Sequence, residues 1–280
     1  MDNKKLIARR LLEWSSVIAK KNWYKDKNHH TFKGWANRYG KSDDDDTKLA
    51  RASEKFLKSH PFAFIVACQL NMGKKSWKAW RAPLLIAFEI GKRNFRPAII
   101  SKKRLSTITS VIKKTKLGAR TLPADRVAQN LKNLSSIICE QYDGKAQNIW
   151  ERAKNIEDLR NQLKNIPGFG VKLVNITLKL LLELGMVPNV KKSAENLSKL
   201  NVAPDVHVRR VFYRSGLSNT MNSSDVLKQA NEIFPEMPMV LDSAFIIGRE
   251  YCFKTNPNCR DCPLKTTTNG KKLCMQRRSE

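Results

Sequence analysis

A lysine lies two residues after a Pro-Gly-x-Gly turn in the segment Ile166-Pro167-Gly168-Phe169-Gly170-Val171-Lys172. Because Pro and Gly interrupt helical runs, the segment predicts a helix over 156–163, a tight hairpin, and a second helix through the apolar run 173–184. The glycines carry no side chain, so the turn amides and the start of the second helix face outward, an arrangement that binds phosphate. A cation in the first turn of a helix is mildly disfavoured by the helix dipole, so Lys172 calls for a reason. Taken alone, the motif is more often a plain helix–turn–helix with a solvated lysine.

A carboxylate at the start of another predicted helix is the second candidate. It lies in Pro204-Asp205-Val206-His207-Val208. Aspartate is a frequent N-cap, and the sequence fits that structural role. A carboxylate held rigidly at a helix start can also stabilise developing positive charge or move protons, so both roles can apply to Asp205. For His207 we expect a structural hydrogen bond rather than catalysis.

Four of the six cysteines fall within residues 252–274 with the spacing C-x6-C-x2-C-x11-C. Four thiolates in so short a segment can ligate a tetrahedral zinc ion or a [4Fe–4S] cluster. Zinc ribbons usually pair two C-x2-C knuckles on hairpins, whereas this segment has one C-x2-C and follows a predicted helix, which favours iron–sulfur. Zinc stays open as the alternative, and a disulfide pair ranks third. The candidate ligands are Cys252, Cys259, Cys262 and Cys274; Cys68 and Cys139 lie in apolar stretches and are predicted to be buried thiols.

The charge balance indicates a polyanionic partner. Lys and Arg number 53 against 25 Asp and Glu, which gives a net charge of +28. Nucleic acid is favoured over a membrane surface because the positive charge is spread along the whole chain. The sequence has no apolar run long enough to span a bilayer and no signal-peptide pattern at its start, so we expect an intracellular protein of the cytoplasm or nucleoid.

The hydrophobic pattern is helical nearly throughout and predicts an all-α fold. One helix, over 62–68, is almost wholly apolar and must be buried; it runs out into Gln69-Leu70-Asn71, which could simply be its C-terminal cap. The residues 186–203 form a polar, lysine-rich excursion between the long helix and Asp205. Further helices are predicted over 3–21, 47–58, 83–91, 104–117, 124–142, 145–154, 224–234 and 237–251.

With the hairpin, the aspartate segment and the cysteines in this order, the chain resembles the helix–hairpin–helix DNA glycosylases of the endonuclease III type over residues 60–275. The segment 166–172 matches the family's hairpin and catalytic lysine, and 204–208 matches its aspartate segment. Cys252, Cys259 and Cys262 match the spacing of the first three cluster ligands. The resemblance implies a two-lobed all-α enzyme in which Lys172 and Asp205 face each other across a cleft. It also implies an N-terminal arm (1–58) that packs with a cluster lobe (201–280), and a barrel lobe (59–200) that carries the hairpin.

The same resemblance implies a function in base-excision repair. Such an enzyme flips a damaged base out of double-stranded DNA and acts as a monomer, and the lysine implies a bifunctional glycosylase and AP lyase. A structural [4Fe–4S] cluster would order a basic loop, and a monovalent cation could sit at the hairpin. The resemblance also implies two groups of DNA-binding residues. Gln69 and Asn71 follow the predicted buried helix, where family members carry a glutamine that fills the hole left by a flipped base. The residues of the turn are the other group: Pro167, Gly168, Phe169, Gly170 and Val171.

The chain departs from the family pattern in four places. The interval between Cys262 and Cys274 is longer than usual, as is the link from Lys172 to Asp205, and the N-terminus carries extra residues. The acidic residue that family members carry shortly after the hole-filling glutamine is absent here. The alternatives are therefore a monofunctional glycosylase, a non-catalytic DNA-binding metal-cluster protein and a zinc-stabilised scaffold. The base that is excised is left open.

Overall fold

The computed structural model describes residues 3–20, 45–71, 76–115, 123–190, 193–266 and 272–275, and the regular structure within these ranges is helical. The only β pairing among them is one isolated antiparallel bridge between Thr266 and Lys272. The all-α prediction is confirmed. No helix in the described ranges is long and apolar enough to cross a membrane. Residues 21–44, which belong to the predicted N-terminal arm, lie outside the described residues.

The helices up to the hairpin are α1 (Asn3–Lys20), α2 (Asp45–Ser59), α3 (Pro61–Leu70), α4 (Ser76–Ile90), α5 (Pro97–Ile100), α6 (Leu105–Lys114), α7 (Ala124–Gln141), α8 (Asn148–Glu151) and α9 (Ile156–Lys164). After it come α10 (Val171–Glu183), α11 (Ala194–Ser198), α12 (Val206–Ser215), α13 (Ser223–Ile233) and α14 (Ala244–Glu250). Two 3₁₀ turns, Lys92–Asn94 and Pro238–Ser243, complete the described helical structure. The helix predicted over 145–154 is thus only the short α8, and the one predicted over 237–251 is a 3₁₀ turn continued by α14.

The described residues form two compact units. One, here called the hairpin unit, comprises the described residues of 22–189; the other, the cysteine unit, comprises those of 1–21 and 190–280. The helix α2, which the sequence analysis assigned to the N-terminal arm, packs on α3 and α4 within the hairpin unit. Conversely, the 186–203 excursion contributes Val190, Leu200 and Val202 as buried side chains, so it is not merely a polar loop.

The hairpin unit is built around α3. Its residues 62–70 are all buried, as the apolar run predicts, and Pro61 at the first helical position sets the start. The helix packs against α2, α4, α7 and α10. Because α3 is covered on every side, the polar Gln69 at its end is also buried. Of the two predicted buried thiols, Cys68 is fully buried on α3, whereas Cys139 on the amphipathic α7 is only half-buried.

The cysteine unit has its own hydrophobic core. The N-terminal helix α1 contributes Ile7, Ala8 and Leu11 to it, and these side chains belong to one cluster with Phe212 of α12 and Ile247 of α14. Polar bonds reinforce the packing, since the Ser243 hydroxyl donates to the Leu11 carbonyl (2.9 Å). The first helix of the chain therefore packs within the unit that carries the cysteines near the end of the sequence.

Candidate active site and cysteine loop

The predicted helix, hairpin and second helix lie where the sequence indicated. Asn155 caps the start of α9, its side chain accepting the Asp158 amide at 2.9 Å. After α9 the chain turns tightly, with the Phe169 amide donating to the Ile166 carbonyl (3.0 Å). Gly168 has φ +88°, a left-handed conformation that side chains with a Cβ rarely adopt. The side chains of Ile166 and Phe169 are buried, so one side of the turn is anchored in the hairpin unit and the other is exposed.

Lys172 is the second residue of α10 and its side chain is half-buried. The N-cap is Gly170, which offers no side-chain acceptor to the first-turn amides of the helix. A Cβ placed at Gly170 would meet no atom within 4 Å, so the space in front of the helix start is open. Val171 beside it is 44% exposed. The lysine therefore lies at an uncapped, accessible helix N-terminus, as a phosphate-binding turn requires.

Gln69, in the last turn of α3, and Asn71, just after it, are buried. Gln69 is 0% exposed, and its side-chain amide donates to the Pro167 carbonyl at 2.9 Å and to the Asn130 carbonyl at 3.3 Å. Asn71 is the C-cap of α3 and is also buried. A contact of Gln69 with DNA would require its side chain to leave this position. In the structure, the Gln69 side chain, which was expected to contact DNA, instead donates a hydrogen bond to the Pro167 carbonyl on the buried side of the hairpin.

Asp205 is the N-cap of α12. One of its carboxylate oxygens, Oδ1, accepts the amides of both His207 and Val208 at 2.8 Å. The predicted capping role is thereby confirmed, and the second oxygen, Oδ2, is not used for capping. The cap ties the carboxylate to the first turn of a helix whose apolar face belongs to the core of the cysteine unit.

His207 belongs to a buried network next to the cap. Its Nδ1 lies 3.2 Å from the Gly248 carbonyl, to which the Arg210 guanidinium also donates at 2.6 Å, and its ring packs edge-on against Phe245. A Cβ at Gly248 would lie 2.7 Å from the His207 Cβ, so only glycine fits there. The contacts support the structural role expected for this histidine. Burial lowers the pKa of Arg210, while the negative charges of Cys252 and Asp205 act in the opposite direction.

Two buried arginines of α12 hold the start of the cysteine loop, the segment 252–275. Arg210 donates to the Cys252 carbonyl. Arg214 donates to the carbonyls of Phe253 (2.6 Å) and Lys254 (2.8 Å) and lies 3.7 Å from the Cys252 sulfur. The sequence analysis missed both residues; the same helix also carries His207 and Arg209, so the sequence alone does not single out Arg210 and Arg214.

The first helix of the chain holds the rest of the loop. The Asn3 side chain donates to the Leu273 carbonyl at 2.9 Å, and Arg10 donates to the Pro263 carbonyl at 3.3 Å. Two polar side chains near the start of the sequence thus bond the backbone beside two of the cysteines.

The long interval before the last cysteine is closed by the isolated bridge. Thr266 pairs with Lys272, and the flanking backbone bonds run from the Leu273 amide to the Lys265 carbonyl (3.0 Å) and from the Cys274 amide to the Leu264 carbonyl (3.1 Å). Because of this pairing, Cys274 returns to the backbone next to Cys262. The residues 267–271, which make this interval longer than usual, lie between the two paired positions in the sequence.

The four cysteines of the loop are of a residue type that can ligate zinc or an iron–sulfur cluster. All four sulfurs are free thiols and all four side chains are half-buried. Burial raises the pKa of Cys262 to about 12. Within the described residues, no three His, Cys, Asp or Glu side chains lie close enough together to hold a metal ion, so the ligand set stays a prediction.

Comparison with known proteins identifies the fold. No protein-family model matches the sequence, and no curated protein sequence matches it. Among solved structures, the chain is similar to an endonuclease III trapped as a covalent intermediate with DNA (TM-score 0.52, 20% identity, 73% of this chain and 81% of that chain). It is also similar to a non-covalent endonuclease III–DNA complex (0.51, 18%, 77% and 91%) and to a thermostable thymine-DNA glycosylase (0.53, 14%, 93% and 92%). The chain thus has the all-α, two-lobed fold of the helix–hairpin–helix DNA glycosylases.

Proposed function

We propose that the protein is a base-excision DNA glycosylase with AP lyase activity. The observation that carries the proposal is Lys172, a half-buried lysine at the uncapped start of α10 directly after the hairpin. A lysine there is offset from the phosphate-binding amides by one or two residues, so a bound DNA backbone would bring a deoxyribose near its amine. The large positive charge of the chain and the fold both agree with double-stranded DNA as the partner.

The proposed reaction begins with a flipped nucleotide, because a base inside the duplex is out of reach; flipping costs a few kcal/mol. The neutral amine of Lys172 attacks C1′, the C1′–N bond breaks, and the base departs with the bonding electron pair and takes up a proton. The nitrogen then gives up its two protons, one to the departing base and one to the ring oxygen O4′ as the C1′–O4′ bond breaks and the ring opens, which gives a Schiff base between Nζ and C1′. Loss of a proton from C2′ then expels the 3′ phosphate by β-elimination.

Asp205 is the proposed partner of the lysine in this reaction. A carboxylate stabilises the positive charge that develops on the sugar as the C1′–N bond breaks, and it can carry protons between the amine and the departing base. Its second oxygen, Oδ2, is the one available for this, since Oδ1 is occupied by the two capping amides. The cap therefore supports the chemical role by fixing the direction of the carboxylate.

The four cysteines of the loop would hold a [4Fe–4S] cluster. In this proposal the cluster supplies structural order, and no step of the reaction passes through it. The loop presents Lys254, Arg260 and Lys265 as exposed side chains, and these would contact DNA phosphates. The bonds from Arg214 to the carbonyls of Phe253 and Lys254 support this proposal, because they tie the start of the loop to α12.

Borohydride trapping tests the proposal. Reduction of a Schiff base leaves a covalent enzyme–DNA product, so the wild-type protein is expected to be trapped on DNA that carries an abasic site or an excisable base. Lys172→Ala is expected to abolish the trapped product. Lys164→Ala, which removes an exposed lysine from the preceding helix, is the matched control and should trap like the wild type. Trapping that persists in Lys172→Ala would contradict the assignment of the nucleophile.

A panel of duplexes, each with a single lesion, identifies the base and the type of enzyme. Strand cleavage without alkali indicates a bifunctional enzyme, whereas cleavage only after alkaline treatment indicates a monofunctional glycosylase. Salt-sensitive binding with no base loss on any lesion would indicate a DNA-binding protein without catalysis and would refute the proposal.

A further inference from the structure

One buried polar side chain, Gln69, bonds the backbone of the hairpin that precedes Lys172. Gln69 comes from the end of α3 and donates through Nε2 to the Pro167 carbonyl at 2.9 Å, at the first residue of the turn. The same nitrogen donates to the Asn130 carbonyl of α7 at 3.3 Å. A single buried amide thus joins α3, α7 and the turn, across 98 residues of sequence between Gln69 and Pro167.

The environment of Gln69 shows that the amide is not there merely to fill space. The side chain is completely buried, and among the described residues no group donates to its Oε1. A buried acceptor without a donor is unfavourable, so an apolar side chain of the same length would be the better choice for packing alone. The feature that an apolar side chain cannot supply is the N–H donor to the two carbonyls.

The turn has a physical need for such a donor. Pro167 has no N–H and Gly168 has no side chain, so neither residue can donate a side-chain bond, and Pro167 offers only its carbonyl as an acceptor. The N-cap residue, Gly170, likewise contributes no side-chain bond. Apart from the buried side chains of Ile166 and Phe169, the bond from Gln69 is therefore what fixes the backbone five residues before Lys172.

We propose that Gln69 is a positioning residue for Lys172: it locks the hairpin so that the amine at the start of α10 is held in its reactive place. The part that concerns reactivity rests on the function proposed above, whereas the locking of the hairpin does not. The assignment differs from a role in which Gln69 enters the DNA duplex, because a side chain that locks the hairpin acts on the enzyme whether or not the DNA has a second strand.

The first test measures the hairpin in the absence of DNA. Gln69→Met keeps the length of the side chain and removes the donor. We expect amide exchange to become about tenfold faster at Phe169 and Val174, whose N–H groups close the turn and the first helical bond. The matched control is Gln229→Met, which replaces another buried glutamine, in the cysteine unit, and should leave these two amides unchanged. Unchanged exchange in Gln69→Met would refute the lock, whatever the function of the protein.

The second test measures Schiff-base formation on single-stranded and duplex DNA with the same abasic site. We expect the trapping rate at saturating DNA to fall ten- to a hundredfold in Gln69→Met, by the same factor on both substrates within about twofold. A single strand has no opposite base, so a side chain that fills the hole in a duplex would matter only there. A loss confined to the duplex, or no loss, would overturn the proposal.

Two further comparisons separate positioning from general destabilisation. Gln69→Asn keeps the amide but is one methylene too short to reach both carbonyls, so its trapping rate should fall less than that of Gln69→Met. The asparagine variant replaces the methionine variant in both tests if the latter does not fold. Thermal unfolding is followed for all variants, and rates are measured well below the lowest midpoint. If Gln229→Met slows trapping as much as Gln69→Met, positioning is refuted. Absence of trapping by the wild type would instead refute the proposed function and leave the exchange result standing.

Discussion

The two roles of Asp205 can be separated by substitution. The carboxylate caps α12 through two amide bonds of 2.8 Å, and the proposed mechanism also gives it an electrostatic role in base excision. Asparagine caps helices about as well as aspartate, because its carbonyl oxygen accepts the same amides, but it carries no charge. Alanine removes both the cap and the charge. The pair Asp205→Asn and Asp205→Ala therefore separates capping from catalysis.

The expected magnitudes follow from these contacts. Loss of the cap in Asp205→Ala should destabilise the cysteine unit by about 1 kcal/mol, which lowers Tm by roughly 2–4 °C for a protein of this size. Asp205→Asn should leave Tm nearly unchanged. Removing the charge should slow base excision about 10²- to 10³-fold in both variants, the usual loss when one preorganised electrostatic group is deleted from an active site.

Single-turnover base release and thermal unfolding, measured on the same preparations, check the prediction. On DNA with a preformed abasic site the loss should be smaller, because no C1′–N bond has to break. DNA affinity should be retained in Asp205→Asn. Wild-type base release by Asp205→Asn would show that the carboxylate is only a cap, and a fall in Tm equal to that of alanine would refute the capping geometry.

Three further predictions concern the cysteine unit. Replacing residues 267–271 by a two-residue Asn-Gly turn should keep the visible absorbance expected of the proposed iron–sulfur cluster, because the bridge already closes that loop, whereas Cys274→Ser should lose most of it. Leu11→Ala, at a fully buried position of α1, should destabilise the unit by about 3 kcal/mol in urea unfolding. Burial raises the pKa of Asp225, but hydrogen bonds from the Thr220 amide and hydroxyl outweigh it and lower the pKa overall. Its stabilisation is therefore present above the unfolded pKa of about 3.9 and lost as pH falls through the lower folded value. The urea midpoints of wild type and Asp225→Asn should therefore differ at pH 6 and converge once the pH is below the folded pKa.

Local sequence signals were sufficient for the parts of the structure that local bonds determine. The hairpin follows from Pro167, Gly168 and Gly170, each of which changes the backbone at its own position. The cap at Asp205 follows from an aspartate two and three residues before the amides that it accepts. The burial of α3 follows from an uninterrupted apolar run. In each case the interacting groups lie within one or two helical turns of one another.

The features that the sequence did not reveal depend on contacts between distant residues. The inward direction of Gln69 depends on carbonyls 61 and 98 positions away. The support of the cysteine loop by Asn3 and Arg10 joins residues more than 250 positions apart. The return of Cys274 depends on a backbone pairing within a segment that has no strand pattern. Composition and periodicity carry no information about such partners, because any polar side chain at the surface of a helix looks the same in sequence.

The two proposed catalytic groups stand at equivalent places, the starts of helices, but they are fixed by different means. Asp205 bonds the first-turn amides of its own helix, so the carboxylate and the helix start rigidify each other. Under the proposed function, the helix that carries Lys172 cannot have such a side-chain cap, because the first-turn amides that are to bind a DNA phosphate must stay free. Gly170 meets that demand and contributes no side-chain bond to the helix start. In the proposed complex, the hairpin must then be made rigid by bonds on the side that faces away from DNA. The bond from the Gln69 amide to the Pro167 carbonyl lies on that buried side.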